Sequence, residues 1–296
     1  MRLMTVEQVI EAASPATVEQ YLGTPPYTLV PLQENTYCLH SATQLLFLKL
    51  IPPEDWFGHN EIRINQELQT TSFFPAPRLL FTVAIDQATL AGWEWAEGSD
   101  LRQRQQGVLS LAFAELGRFH AAHRNTRPVC SPTTHQQYES VRAMLHAELA
   151  LLTCGLERTV VDRCAEAFRR FKVGYVTCIH GDFHPGNIRV TPGGVRFVDW
   201  GYATNSLNLF DLGYVQRYVE LKSDAAEWWH IMPSESSAVL AAYFATCGMG
   251  EPDWEPLQWA IEVWSTLYAH RNALIRCDDM GVRDSLGTLY ALLAVL

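Results

Sequence analysis

Residues 180–187 read His180-Gly181-Asp182-Phe183-His184-Pro185-Gly186-Asn187, and Val198-Asp199-Trp200-Gly201 brings a second Asp twelve residues after that Asn. Short apolar, β-branched runs surround both segments. Tyr175–Ile179 leads into the first. Ile188–Val190 and Val195–Val198 flank the turn Thr191-Pro192-Gly193-Gly194, which reads as strand, Gly-rich turn, strand. The pattern places Asn187 and Asp199 at the two open ends of one hairpin, which brings them back together in space. Two carboxylates and an amide are hard oxygen donors, suited to Mg²⁺ and unsuited to a thiolate-type metal.

The spacing has the form H-x-D-x-x-x-x-N followed by D-x-G, the catalytic and metal loops of a kinase. Phosphoryl transfer needs positioning and charge neutralisation more than covalent chemistry. Asp182 can accept the proton of an attacking hydroxyl, Asn187 can hold one Mg²⁺, and Asp199 can bridge the metals on the β- and γ-phosphates. Taken singly, His-Gly-Asp could be an ordinary turn and Asp199 a strand-end cap. His180, Asp182 and His184 could also suggest a transition-metal site, but no fourth His or Cys follows at ligand spacing. Both motifs together, around one predicted hairpin, favour kinase chemistry.

On these residues the chain resembles the aminoglycoside phosphotransferase and choline kinase family, which carries Gly rather than Arg before the catalytic Asp. The resemblance runs from about Tyr27 to about Tyr218. It implies an α+β, two-lobed protein-kinase-like fold. A small antiparallel-sheet lobe (1–96) would bind nucleotide, and a mostly helical lobe (97–296) would carry catalysis and the acceptor. The activity implied is ATP-dependent phosphorylation of a hydroxyl group on a small molecule: an aminoglycoside, an amino alcohol, a sugar or a homoserine-like acceptor. The implied cofactors are ATP and Mg²⁺. A protein serine/threonine kinase of the same fold and an inactive nucleotide-binding module stand as alternatives, and the intact Lys49, Asp182, Asn187 and Asp199 argue against the second.

The elements follow from periodicity. The first 25 residues read as a short amphipathic helical region ending at Gly23-Thr24-Pro25-Pro26. Tyr27–Leu32, Asn35–Leu39 and Leu45–Ile51 read as strands, then Asn60–Ser72 as a helix opening near Glu61, then Leu79–Ile85 and Thr89–Trp95 as strands. Glu97–Asp100 reads as a hinge. Helices are expected over Leu109–His123, Gln136–Leu152, Glu157–Phe171, Leu209–Leu221, Ser234–Cys247, Pro256–Ile275 and Asp284–Leu293.

Lys49 is a lone charge in an apolar strand, where an unpaired ammonium would be costly. In a kinase-like lobe it contacts the α- and β-phosphates and pairs with a helix Glu. Family spacing favours Glu61 over Glu67 as that partner. The resemblance also makes Gln33-Glu34-Asn35-Thr36 the loop over the nucleotide, with Asn35 a contact, although it lacks the glycines of protein kinases and a plain hairpin turn reads equally well. Glu94 and Trp95 would present adenine-facing backbone. His120, His123 and His180 are read as structural, and Asp211 as a tie to the catalytic loop.

Composition bounds the rest. The 296 residues are 48% hydrophobic with a net charge of −10, a globular composition with no run long enough for a membrane span. Nucleic acid is a disfavoured partner. Seven cysteines form no C-x-x-C pair, which suggests reduced thiols in a cytoplasmic protein; a homodimer is allowed for. Residues 201–296 hold 12 acidic and 5 basic residues. That excess points to a cationic or amine-bearing acceptor, with Glu262, Asp278 and Asp279 as carboxylates and Trp228, Trp229 and Trp264 as cation–π partners.

Overall fold

Alternation in the run Leu45–Ile51 sets the two faces of the first sheet. Leu46, Leu48 and Leu50 point to one side and are buried, while Phe47, Lys49 and Ile51 point to the other. The structure is a computed structural model that describes residues 5–71, 73–100, 107–125, 128–171, 174–217, 233–250 and 254–294. Five strands, β1 (Thr28–Gln33), β2 (Thr36–His40), β3 (Leu45–Ile51), β4 (Leu79–Ile85) and β5 (Ala88–Glu94), form a sheet in the order β1-β2-β3-β5-β4 with every neighbouring pair antiparallel.

Each face has its own cover. Leu46, Leu48 and Leu50 pack with Leu39, Leu90, Val9, Val18 and Leu22. The last three come from two short helices, α1 (Val6–Ala13) and α2 (Pro15–Leu22). The single N-terminal helical region expected from sequence is thus broken at Ser14-Pro15. Ser14 caps α2 and proline takes its first position, where a missing N–H costs nothing. On the opposite face Ile51, Ala91 and Trp93 pack against Ile62 of α3 (Trp56–Leu68). This helix opens four residues earlier than its sequence pattern suggested. The Asp55 side chain caps it by accepting from the Gly58 amide at 3.0 Å, so Glu61 lies inside the helix and not at its start.

The remaining strands and helices are β6 (Ser99–Asp100), α4 (Val108–Ala122), β7 (Val129–Cys130), β8 (Gln137–Tyr138), α5 (Val141–Leu152), α6 (Arg158–Arg170), β9 (Val176–Ile179), β10 (Ile188–Thr191), β11 (Gly194–Phe197), β12 (Thr204–Leu207), α7 (Leu209–Arg217), α8 (Pro233–Cys247), α9 (Trp254–Ile275) and α10 (Asp279–Ala294). The helix expected from Gln136 begins only at Val141, because residues 137–138 pair with 129–130 and Ser140 supplies the cap. The last helix opens at Asp279, since Asp278 caps it through the Gly281 amide. Among the described residues no helix is long and apolar enough to cross a membrane, and all seven cysteines are free thiols.

The chain divides into two compact units. One is Met1–Gly98 with Arg189–Tyr202, and the other is Ser99–Ile188 with Ala203–Leu296. The β10–β11 segment therefore groups with the five-stranded sheet, although helical sequence surrounds it. In the second unit β9 pairs antiparallel with β12. There α4 lies close against α8, and Gly117 permits the approach: a Cβ at that position would sit 2.5 Å from the Tyr243 carbonyl oxygen.

Candidate active site

The first unit assembles around Glu61. Period two places Lys49 on the α3 side of the sheet, and the buried stripe Gly58, Glu61, Ile62 and Asn65 turns Glu61 toward it. Lys49 Nζ donates to Glu61 Oε2 at 3.2 Å. Glu67 takes no part in this contact. It is exposed and pairs with Arg63 at 2.8 Å one helical turn back. Glu61 spends its other oxygen, Oε1, on the Trp200 amide at 3.3 Å. Beside it, Asn60 Nδ2 donates to the Gly201 carbonyl at 2.8 Å. Two adjacent α3 side chains thus hold the residues after Asp199 by one N–H and one C=O. Trp200 closes the arrangement from below: it is 1% exposed, rests on Phe74 and donates its indole N–H to the Phe197 carbonyl.

Asp199 itself is exposed and has φ 63°. A non-glycine residue in the left-handed region is strained and persists where its surroundings fix it; here Glu61 and Asn60 fix the next two residues. The local electrostatics agree with an anion-facing lysine. Burial pulls the Lys49 ammonium down, but the Glu61, Asp199 and Asp55 carboxylates outweigh it and hold Lys49 above its ordinary value. Burial raises Glu61, Lys49 pulls it back and Asp199 adds to the rise.

The second unit builds the loop His180–Asn187. Asp211, buried at the start of α7, accepts from the His180 amide at 2.7 Å and the Gly181 amide at 2.9 Å. Gly181 has φ 79°, which a residue with a Cβ adopts only with strain. The next side chain, Asp182, is half-buried. Asn187 Nδ2 donates to its Oδ2 at 3.1 Å and to its carbonyl at 3.0 Å. His184 Nε2 lies 3.5 Å from the same Oδ2, while its Nδ1 accepts from the Gly186 amide. None of these contacts engages Asp182 Oδ1.

The donor chemistry fits magnesium. Asn187 commits its nitrogen to Asp182, so its amide oxygen is the end that offers a hard ligand. Asp199 is an exposed carboxylate. Among the described residues no group of three or more His, Cys, Asp or Glu could hold a metal ion. That removes the His180–Asp182–His184 alternative.

Of the other expected contacts, Asn35 lies in the two-residue turn between β1 and β2 with φ 62°. Its carbonyl accepts from the Leu50 amide at 2.8 Å, which fixes the turn against β3. Glu94 turns its carboxylate to Arg78 at 2.7 Å, and the Trp95 carbonyl accepts from the Glu97 amide at 3.1 Å.

Comparison with known proteins now identifies the family. The profile of the phosphotransferase enzyme family matches residues 29–260. The chain belongs to the phosphotransferase enzyme family. A search of curated proteins finds no match. Among solved structures, a thermostable mutant of aminoglycoside phosphotransferase APH(4)-Ia has TM-score 0.60 at 15% identity, covering 95% of this chain and 98% of that one. Aminoglycoside 2'-phosphotransferase-IIIa has TM-score 0.60 at 12% identity, with 95% and 97% covered. Choline kinase LicA from Streptococcus pneumoniae has TM-score 0.56 at 11% identity, with 98% and 99% covered. At these identities the likeness is one of fold, and the fold is the α+β protein-kinase-like one.

Of the residues expected to attract a cationic acceptor, the structure sets aside Trp264. Trp264 is 1% exposed and packed between Phe210 and Tyr268, so its faces are spent in the core. Asp278 is the cap of α10, and Glu262 accepts from Gln258 at 3.0 Å. Asp279 is exposed in the first turn of α10. Trp228 and Trp229 lie outside the described residues. Sequence reading also missed Asn60, whose clamp on Gly201 spans 141 residues and leaves no local signal.

Proposed function

We propose that this phosphotransferase transfers the γ-phosphoryl group of ATP to a hydroxyl group of a small molecule. The observation that carries the reading is the Lys49–Glu61 ion pair, held in the same unit as the strained Asp199. Lys49 holds the α- and β-phosphates, and Glu61 keeps its ammonium pointed and protonated. Asn187 and Asp199 are the proposed ligands of magnesium, which when bound neutralises the charge developing on the phosphates. Asp182 receives the acceptor hydroxyl on Oδ1, orients its lone pair toward the phosphorus and takes the proton as the bond forms. The loop at Asn35 and the backbone of Glu94 and Trp95 are assigned to the nucleotide.

Two observations on neighbours support nucleotide and acceptor classes. One APH(4)-Ia mutant is a ternary complex with AMP-PNP and hygromycin B, and the aminoglycoside 2'-phosphotransferase-IIIa structure is a GDP complex. A nucleotide-consumption screen tests the reading. ATP and GTP with Mg²⁺ are offered against aminoglycosides, amino alcohols, sugars and homoserine-like compounds. Turnover with at least one acceptor, absent in Asp182→Asn, is the expected result. No turnover above that variant would reject it. Label appearing on the protein itself, with no small acceptor used, would favour the protein kinase reading. The seven free cysteines support the reading of a cytoplasmic protein.

A further inference from the structure

Behind the catalytic loop lies a polar cluster that the proposed chemistry leaves unused. His120 on α4, Asn208, Asp211 on α7 and Tyr243 on α8 are each 0% exposed. Every polar atom in it has a defined role. Asn208 Oδ1 accepts from the Tyr175 amide at 3.1 Å, which fixes the side-chain amide so that Nδ2 is the group facing Tyr243. Nδ2 can only donate, and it does so to the Tyr243 hydroxyl at 2.8 Å. The phenol oxygen is therefore an acceptor there. The Tyr175 hydroxyl also approaches it but spends its own proton on the Cys247 carbonyl, and the short 2.7 Å contact to His120 Nδ1 takes the Tyr243 proton. Nδ1 is then the accepting nitrogen of the imidazole. The ring proton must sit on Nε2, which lies 3.0 Å from Asp211 Oδ2. Burial holds the Tyr243 phenol well above its ordinary value, so it keeps the proton it donates.

We propose that Tyr243 is a positioning residue for phosphoryl transfer: by donating to His120 Nδ1 it fixes the Nε2–H tautomer that holds Asp211 against the amides of His180 and Gly181. The inference rests on the phosphotransferase reading for its kinetic consequence. The physical reason is that the other tautomer would aim the Nε2 lone pair at a carboxylate oxygen. Asp211 would then move off the two amides that set the turn before Asp182. In a buried site such a mispairing is expensive, and a shift of the reacting carboxylate is felt in the rate.

The tautomer can be read directly. Protein labelled with ¹⁵N-histidine is examined by long-range ¹H–¹⁵N correlation, with His120 assigned by its loss in His120→Gln. Wild type should show a protonated Nε2 and an unprotonated Nδ1 at His120. Tyr243→Phe should weaken this preference, since Asp211 alone then favours Nε2–H. It should also lower kcat by about 10- to 100-fold while KM for nucleotide changes by less than about threefold. In His120→Gln the side-chain amide donates to Asp211 with no tautomer to choose. Adding Tyr243→Phe to that variant should then cost less than about twofold more, a strong departure from additivity. A wild-type ring protonated on Nδ1, or additive losses in the cycle, would overturn the proposal. If Tyr243→Phe does not fold, the wild-type spectrum alone decides. A wild-type chain with no turnover on any acceptor would instead remove the proposed function, and the spectrum would still judge the tautomer.

Discussion

Asp182 and Glu61 show how differently two carboxylates can be used in one chain. Asp182 has one oxygen, Oδ2, engaged by Asn187, and Oδ1 is the oxygen proposed to receive the proton. Asp182→Asn should lower kcat by ~10²–10⁴-fold, the range for a positioned acid–base group, with ATP affinity by calorimetry nearly unchanged; wild-type turnover would count against its role. Glu61 instead has both oxygens engaged, by Lys49 and by the Trp200 amide. Removing Lys49 leaves that buried carboxylate uncompensated, which costs more than the pair itself contributes. Lys49→Ala and Glu61→Ala should therefore couple by about 0.5–3 kcal/mol in a double-mutant cycle on kcat/KM. The same cycle with Glu67→Ala should give no coupling, because Glu67 is committed to Arg63. The roles proposed for Asp182, Asn187 and Asp199 rest on spacing, because they lie within twenty residues of one another. Asn60 and Tyr243 could not be read that way, since each acts on a residue more than a hundred positions away.

At the scale of the element, the five-stranded sheet was legible because alternation is local, and most helix bounds fell within two residues of their expected places, but three helix starts were not legible, because caps sit outside the apolar stripe. Asp55, Ser140 and Asp278 each start a helix at a place its hydrophobic period does not reveal. Packing between helices adds a second hidden constraint. Gly117 is internal to α4, where Ala is ordinarily better by roughly 0.5–1 kcal/mol. Here a Cβ would meet Thr246 Oγ1 at 2.2 Å and the Tyr243 carbonyl at 2.5 Å. Gly117→Ala should reverse the usual sign and destabilise by about 1–3 kcal/mol in urea unfolding, as overpacked cores do. Helix α5 carries a different charge problem. Glu148, 1% exposed, accepts from Ser131 and from the Thr133 hydroxyl. Burial still raises its carboxyl above the usual 4.5. A raised folded-state value means stability that is fully present below the unfolded value near 4.5 and lost as pH rises through the folded one. Wild type should thus lose stability relative to Glu148→Gln as pH climbs from about 4.5 toward neutrality, measured by Tm at each pH. A difference that stays flat over that interval would show that Glu148 does not titrate differently in the folded state.

At the scale of the whole molecule, the residues proposed for the site are distributed over the two units in an order that sequence alone disguises. Lys49, Glu61 and Asp199 belong to one unit, and Asp182 and Asn187 to the other, although Asn187 and Asp199 are only twelve residues apart. The boundary at Ile188–Arg189 falls where the polypeptide leaves the His180–Asn187 loop and enters β10. What holds 189–202 to the first unit is long-range: Phe197 N to the Pro75 carbonyl at 2.6 Å, Trp200 N to Glu61, and Asn60 to the Gly201 carbonyl. Local opening follows such contacts rather than chain order. Ile62→Ala, which opens a cavity beneath α3 beside Ile51 and Trp93, should cost about 2–5 kcal/mol. In native-state hydrogen exchange the amides of Phe197 and Trp200 should then lose protection in step with those of α3. The amides of β9, held by β12 in the second unit, should keep theirs. Equal loss in both sets would mean that the chain opens as one body. Unchanged protection at Trp200 would mean that the Glu61 contact does not hold the loop that carries Asp199.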